Sequence, residues 1–382
     1  MYDIFDLDRF GYYVTSDRQK FYNKLECMLY CGSRGLEFEF IFNDRYYDQI
    51  NWSVEPIPSI TELYARRARE LREKYDYLIL HLSGGNDSGA ILETFMINDI
   101  KLDEVSMVCP EIITNPDPDD RSAANAYAEV ALCAVPNAKF VKEKFQPDLK
   151  ITVTELKKLS IEKMSDSDWF INNSVSDLDP GGKFRSHINH LNNRYRSMTD
   201  QGKTVAHIDG EDKPHLVVRE STVSVIFDDE TILRRNPDRS NKNDISLVEH
   251  FFWGPSSGEM ICKQAHMILK KLNSMANARP MAQQLMTNNG SRPVQDWIAD
   301  IIYPHRVLPK WDTNKSNHII MREWHQWFFK DQQSNFFTKW KMGMDYLNTI
   351  LPEKYIKKDR NVYAGGYKPK FSKLYQIGQL KN

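Results

Sequence analysis

Residues 81–92 read HLSGGNDSGAIL. They follow a short apolar run, YLIL (77–80), and lead into a stretch of helical character from Asp87 to Asn98. Two adjacent glycines, Gly84 and Gly85, stand between Ser83 and Ser88, with Asp87 inside. A strand that turns into a helix leaves the first helical N–H groups unpaired and exposes the positive end of the helix dipole. Phosphate is the natural ligand of such a turn. Gly84 and Gly85 let the backbone approach an anion without a side-chain clash, and Ser83 and Ser88 add hydroxyl donors. Asp87 is out of place beside an anion unless it helps hold Mg²⁺, which bridges phosphate oxygens. The bland alternative is a tight turn with a serine or aspartate helix cap.

Two familiar glycine loops are excluded. A Walker A loop needs Lys-Ser/Thr after its last glycine, whereas Ser88 is followed by Gly89 and Ala90. The dinucleotide fingerprint needs spaced glycines, G-x-G-x-x-G, and here they are adjacent.

Working outward, SITELYARRARELREKY from Ser59 predicts a helix. Ile60, Tyr64, Ala68 and Leu71 fall at helical spacing, and Ser59 or Thr61 can cap it. YDYLILHL predicts a buried strand, and DEVSMVCP (103–110) a second one. Residues 117–135 have an acidic start and an alanine-rich body, which predicts a helix. AKFVKE (138–143) reads as a third strand, and 152–170 as a helix capped by Thr152 or Thr154. KTVAHIDGEDKP (203–214) is again an apolar strand ending in an acidic turn, and 215–230 alternates as a hairpin does. Upstream, NDRYYDQINW (43–52) reads as irregular or short-stranded.

Alternating strands and helices over 77–208 predict an α/β fold, with a parallel sheet and helices on both faces. Ligands of such sheets bind beyond the carboxyl ends of the strands. The 83–88 and 209–212 motifs both lie at such ends, so the architecture brings them to one edge. The expected organisation is a lead-in segment (1–58), a nucleotide-binding domain (59–235) and a largely helical C-terminal region (236–382), with the boundary in 236–245.

Composition sets the outer limits. The chain has 382 residues, 41% hydrophobic and 27% charged, which fits a soluble globular protein of two or three domains. A net charge of −1 gives no bulk reason to expect nucleic acid or an anionic membrane. No apolar run approaches the roughly 18 residues of a membrane-spanning helix. MYDIFDLDRFGYY at the start lacks a signal-peptide core. Cys27, Cys31, Cys109, Cys133 and Cys262 are few, odd in number and scattered, against a disulfide framework. Cytoplasm is the expected compartment.

The run Ser83-Gly84-Gly85-Asn86-Asp87-Ser88 resembles the signature of the PP-loop ATP pyrophosphatases, the adenine nucleotide alpha hydrolase-like superfamily. RELREKYDYLILHLSGGNDSG (69–89) looks most like the synthetase domain of asparagine synthetase and β-lactam synthetase. The chain is also similar to shorter asparagine synthetase-like proteins of phage genomes. The resemblance covers 59–110 most clearly and extends to about 230.

That resemblance implies a Rossmann-like, HUP-type core that binds ATP and Mg²⁺. Such proteins attach AMP to a carboxylate or carbonyl oxygen, release pyrophosphate, and let a nucleophile displace AMP. It assigns Ser83, Gly84, Gly85, Asn86 (the family's variable position), Asp87 and Ser88 to phosphate, and Asp87 also to Mg²⁺. Val108 and Cys109, at the end of the second strand, would receive adenine through backbone groups. Asp212 is the expected second metal contact, with Asp209 or Glu211 in reserve, and Lys213 would touch pyrophosphate. IDGEDKP departs from the family's usual G-x-x-D-E wording, and the alternative is an acidic solvated turn. Lys183, Arg185, Lys263, Arg306, Lys310 and Lys315 compete as further cations. Lys263 is preferred with Asp87 and Lys213 as catalytic, because EHFFWGPSSGEMICKQAH (249–266) suits a pocket wall.

Other residues carry blander readings. His187 and His190 sit one helical turn apart, but no third zinc ligand is visible. Trp297, Trp311, Trp324, Trp327 and Trp340 read as core rather than as base-stacking platforms. Tyr2 stands where glutamine-dependent relatives carry a catalytic cysteine, and the N-terminal segment is too short for a full glutaminase domain. Free ammonia, an amine or a partner's nucleophile is therefore expected. Cys109 and Cys133 are not placed for sulfur transfer. The expected function is an adenylating ligase acting on a small carboxylate or a nucleotide-like acceptor. Modification of a nucleobase in nucleic acid or a nucleotide precursor, and ATP binding without catalysis, are the alternatives.

Overall fold

The computed structural model describes residues 7–22, 24–42, 44–109, 114–115, 117, 128–155, 195–210, 214–229, 246–287, 292–304, 306–309, 349, 351–357 and 366–381. The N-terminal segment forms a small antiparallel sheet. β1 (Tyr12–Thr15) pairs with β2 (Lys20–Phe21) on one side and β3 (Phe38–Ile41) on the other, and α1 (Lys24–Arg34) packs against all three. Asp44–Tyr47 is a helical turn, α2, where irregular or extended chain was expected. Burial explains the difference: the Tyr47 ring stacks on Phe227 at 4.4 Å, and its carbonyl accepts from the Trp52 indole at 2.8 Å.

The expected helix follows as α3 (Ile60–Lys74). Ser59 caps it in a full capping box with Glu62. Then come β4 (Tyr77–His81), α4 (Asn86–Ile97) and β5 (Glu104–Cys109). Two expectations fail next. Residues 138–143 are not a strand but part of α5 (Val135–Lys144), which follows a π-helical turn, Val130–Ala134. Ala138 and Val141 are buried while Lys139 and Phe140 are exposed, a helical period rather than a strand's. Pro136 lies in the first turn of α5, just past the π-helical turn. Thr152 and Thr154 do not cap a helix either. They lie in β6 (Lys150–Glu155), paired residue by residue with β5 from Glu104↔Lys150 to Cys109↔Glu155. Its Ile-Thr-Val-Thr run is β-branched throughout, which favours a pleated strand. The remainder of that expected helix, 156–170, lies outside the described residues.

The chain continues with β7 (Val205–Asp209), the expected hairpin β8 (His215–Arg219) and β9 (Thr222–Ile226), and β10 (Ser246–His250). Three helices follow: α6 (Gly258–Asn273), α7 (Ala278–Thr287) and α8 (Arg292–Ile302). β11 (Ile356–Lys357) pairs with β12 (Gly366–Tyr367), and β13 (Tyr375–Gln379) adds an antiparallel strand to β9.

The central sheet is parallel, in the order β10-β7-β4-β5-β6. From β4 the chain steps one way through β5 to β6, then returns to lay β7 and β10 on the other side. The order therefore reverses between β4 and β7, which makes their carboxyl ends a topological switch point. Leu78, Leu80, Val105, Met107, Ala206 and Ile208 turn one face towards α3, α4 and α5 in the main core. Ile79 and Val205 turn the other face towards Tyr195 and Met198, around a helix over 195–199. The sheet is thus flanked by helices, and the C-terminal region is largely helical. The boundary expected at 236–245 lies outside the described residues, and β10 beyond it belongs to the central sheet. Arg9 ties that strand to the N-terminal part, and Arg67 ties it to α3, both through buried Glu249, at 3.0 and 2.9 Å. Among the described residues no helix is long and apolar enough to cross a membrane.

Candidate functional site

The Ser83–Ser88 turn joins β4 to α4 at the switch point. Its serines close it on itself. Ser83 N–H donates to Ser88 Oγ at 3.1 Å, the two hydroxyls lie 3.2 Å apart, and Gly85 N–H donates to Ser83 Oγ at 3.3 Å. Gly85 occupies the cap position of α4, with no side chain capping the helix. Of the two adjacent glycines, Gly84 is the one the backbone demands. Its φ is +80°, and a Cβ there would stand 2.5 Å from the Glu129 carbonyl oxygen, at the edge of the π-helical turn. Such turns recur at functional sites, and this one walls the loop.

The second motif arrives where the topology predicts. β7 pairs with β4 from Tyr77↔Val205 to Leu80↔Ile208, so Asp209 and Gly210 end beside the loop. A Cβ on Gly210 would lie 3.2 Å from Asp87 Cβ and 3.0 Å from Ile91. The end of β7 therefore packs on the first turn of α4. Asp209 is buried. Glu211, Asp212 and Lys213 lie outside the described residues, as do Lys183, Arg185, His187, His190, Lys310, Lys315 and all the named tryptophans except Trp297, which packs against the core. Val108 and Cys109 occupy the carboxyl end of β5, next to β4. Val108 faces the Tyr195 side and Cys109 is buried in the main core.

The C-terminal region closes on the loop. Asn86 Nδ2 donates to Asp296 Oδ1 at 3.0 Å, and Arg306 Nη1 donates to Asn86 Oδ1 at 2.7 Å. The Tyr303 hydroxyl donates to Asp87 Oδ1 at 2.6 Å. About two turns along α4, Glu93 Oε1 accepts from the backbone N–H of Val307, at 2.8 Å, and of Leu308. Burial raises the Glu93 carboxyl pKa, against the pull of those amides. Burial and the adjacent Asp87 also push the Tyr303 phenol well above its ordinary range, so it stays a donor. Arg306 Nη2 is buried with no hydrogen-bond partner among the described residues.

Of the candidate cations among the described residues, Arg306, one of the competitors, is the one that reaches the loop. Lys263 does not: its ammonium is bound by Glu55 Oε1 at 2.7 Å and by the Pro56 carbonyl at 2.9 Å. Asp296, Tyr303 and Glu93 escaped the sequence reading. An aromatic closing an apolar helical run reads as core, and a glutamate inside a helix reads as solvated face.

On the opposite face of the sheet lies a polar group. His81 Nε2 and His207 Nδ1 are 2.9 Å apart. Burial lowers the His207 pKa to about 4, outweighing nearby Glu104, so the ring is neutral. Among the described residues, no three His, Cys, Asp or Glu side chains form a metal cage. Mg²⁺ needs none, since one or two carboxylates with phosphate oxygens and water suffice. Asp87 fits that demand: it is a carboxylate in the first turn of α4, at the loop, and its Oδ1 accepts from the Tyr303 hydroxyl. No protein-family model matches the chain, and no curated protein matches it.

Proposed function

We propose that the chain binds ATP with Mg²⁺ at the Ser83–Ser88 turn. It then transfers AMP to a carboxylate or carbonyl oxygen, releasing pyrophosphate, so that ammonia or an amine displaces AMP. One observation carries the reading: an SGGNDS turn sits at the switch point of a parallel sheet, with Gly84 at φ +80° and so close to the Glu129 carbonyl that a β-carbon would strike it. The N-terminal amides and the dipole of α4 favour an anion there. Arg306 adds a fixed cation at the same helix end. A buried guanidinium nitrogen beside a helix N-terminus, with no partner among the described residues, is costly without an anion.

Roles follow from chemistry. The loop amides and Arg306 stabilise charge developing on the leaving pyrophosphate. Asp87, with Asp209 or Asp212, holds Mg²⁺, which would neutralise phosphate charge. Backbone groups at Val108 and Cys109 receive adenine. The test is exchange of labelled pyrophosphate into ATP, dependent on an added acceptor, across panels of carboxylates and of nucleotides. Exchange abolished by Asp87→Ala supports the site, and exchange that survives it removes Asp87 from the chemistry. ATP binding without exchange for any acceptor favours a binding protein, and no ATP binding ends the proposal.

A further inference from the structure

We infer that Tyr303 is a positioning residue for Asp87, orienting its carboxylate towards a divalent cation at the loop. The inference rests on the reading of the loop as a nucleotide–metal site. The geometry begins with the 2.6 Å bond from the Tyr303 hydroxyl to Asp87 Oδ1, made across 216 residues. The ring that carries this hydroxyl cannot swing. It is 4% exposed and packed against Phe252 at 5.4 Å and Tyr64 at 6.1 Å, with the Arg306 guanidinium 5.3 Å from its centre. The preceding residue is fixed as well: Tyr64 donates to the Ile302 carbonyl at 2.9 Å and accepts from Gln264 at 3.0 Å.

Other bonds also dock this segment on α4. Asp296 and Arg306 already grip Asn86, and Glu93 already grips the amides of Val307 and Leu308. What Tyr303 adds is orientation of one carboxylate, from a neutral donor. Outer-shell donors to metal-binding carboxylates have this role, and losing one typically costs 10- to 100-fold in metal affinity.

The test uses the full chain and Mn²⁺ as a paramagnetic probe for Mg²⁺. Mn²⁺ affinity is measured by electron paramagnetic resonance in the presence of a non-hydrolysable ATP analogue, and metal-free analogue binding by calorimetry. Tyr303→Phe keeps the packed ring and removes the donor. It is expected to weaken Mn²⁺ binding about 10- to 100-fold while leaving metal-free analogue affinity within about twofold. Glu93→Ala, which loosens the same segment further along α4, is expected to leave Mn²⁺ binding unchanged. Unaltered Mn²⁺ affinity in Tyr303→Phe overturns the inference, and so does an equal loss in Glu93→Ala. Absence of nucleotide-dependent Mn²⁺ binding in the wild-type chain instead overturns the underlying site reading, and this inference with it.

Discussion

Arg306 Nη1 donates to Asn86 Oδ1 at 2.7 Å, joining positions 220 residues apart. Asn86 is the loop position with least to say about phosphate chemistry. Here it is the point where the C-terminal region docks, gripped by Arg306 on one side and Asp296 on the other. The relationship separates two candidate cations. Arg306→Ala should weaken ATP and pyrophosphate binding at least about tenfold, as expected for loss of a charge-assisted contact to phosphate. Lys263→Ala should leave both within about twofold and cost under about 1 kcal/mol of stability, since its partner Glu55 is partly exposed. Calorimetric titration of both variants decides it, and the reverse ranking would return Lys263 to the site.

The two cations also show how far the sequence carries. The strand, turn and helix around Ser83 are local, and their signals agree: an apolar run, adjacent glycines, and a helix that buries Ile91 and Phe95. The meeting of Gly210 with Asp87 was legible too, because parallel topology forces strand ends together. Side-chain partners were not legible. Lys263 and Arg306 look alike as isolated cations, and only the packing of α6 and α8 sends one to Glu55 and the other to Asn86. Residues 138–143 misled for a related reason. Over six residues Phe140 and Val141 mimic a buried strand, and only the buried Ala138–Val141 spacing reveals the helix.

Gly84 tests the loop backbone. Gly84→Ala places a β-carbon on a residue at φ +80° and drives it to 2.5 Å from the Glu129 carbonyl oxygen. The neighbour is backbone and cannot rotate away. Strain of this kind costs on the order of 1–3 kcal/mol. The expected result is a fall of that size in unfolding free energy by urea titration, together with loss of ATP binding. Retention of both would mean that the loop rearranges freely.

Glu93 tests the docking of the far segment. Its carboxylate takes two backbone amides that would otherwise be left unpaired. Hydrogen bonds to charged groups contribute about 1.5–3 kcal/mol. Glu93→Ala should therefore speed hydrogen exchange at Val307 and Leu308 by at least tenfold, while strand β5 keeps its protection. If exchange at 307–308 stays slow, other contacts hold the segment and the carboxylate is incidental.

His207 makes stability depend on pH. Burial holds its pKa at about 4, below the ordinary histidine value of 6.5. The unfolded chain therefore takes up the proton first. Above pH 6.5 neither state is protonated, and the neutral ring costs nothing. As pH falls from 6.5 to 4 the unfolded state gains a proton that the folded state refuses, so stability drops. Below about 4 both states carry it and the slope ends. The shift corresponds to about 3 kcal/mol over the window. Carboxylates add their own slope at the foot of this range: Glu249, held at about 2 in the folded chain against 4.5 when unfolded, gives up stability as pH falls below 4.5, so the wild-type curve alone does not isolate the ring. His207→Gln removes the titrating group and leaves those carboxylates in place. The difference in unfolding free energy between wild type and His207→Gln should therefore shift by about 3 kcal/mol in favour of the variant between pH 7 and pH 4. A difference that stays constant across that range would show that His207 accepts its proton in the folded state, and that the polar face of the sheet is wetter than its burial implies.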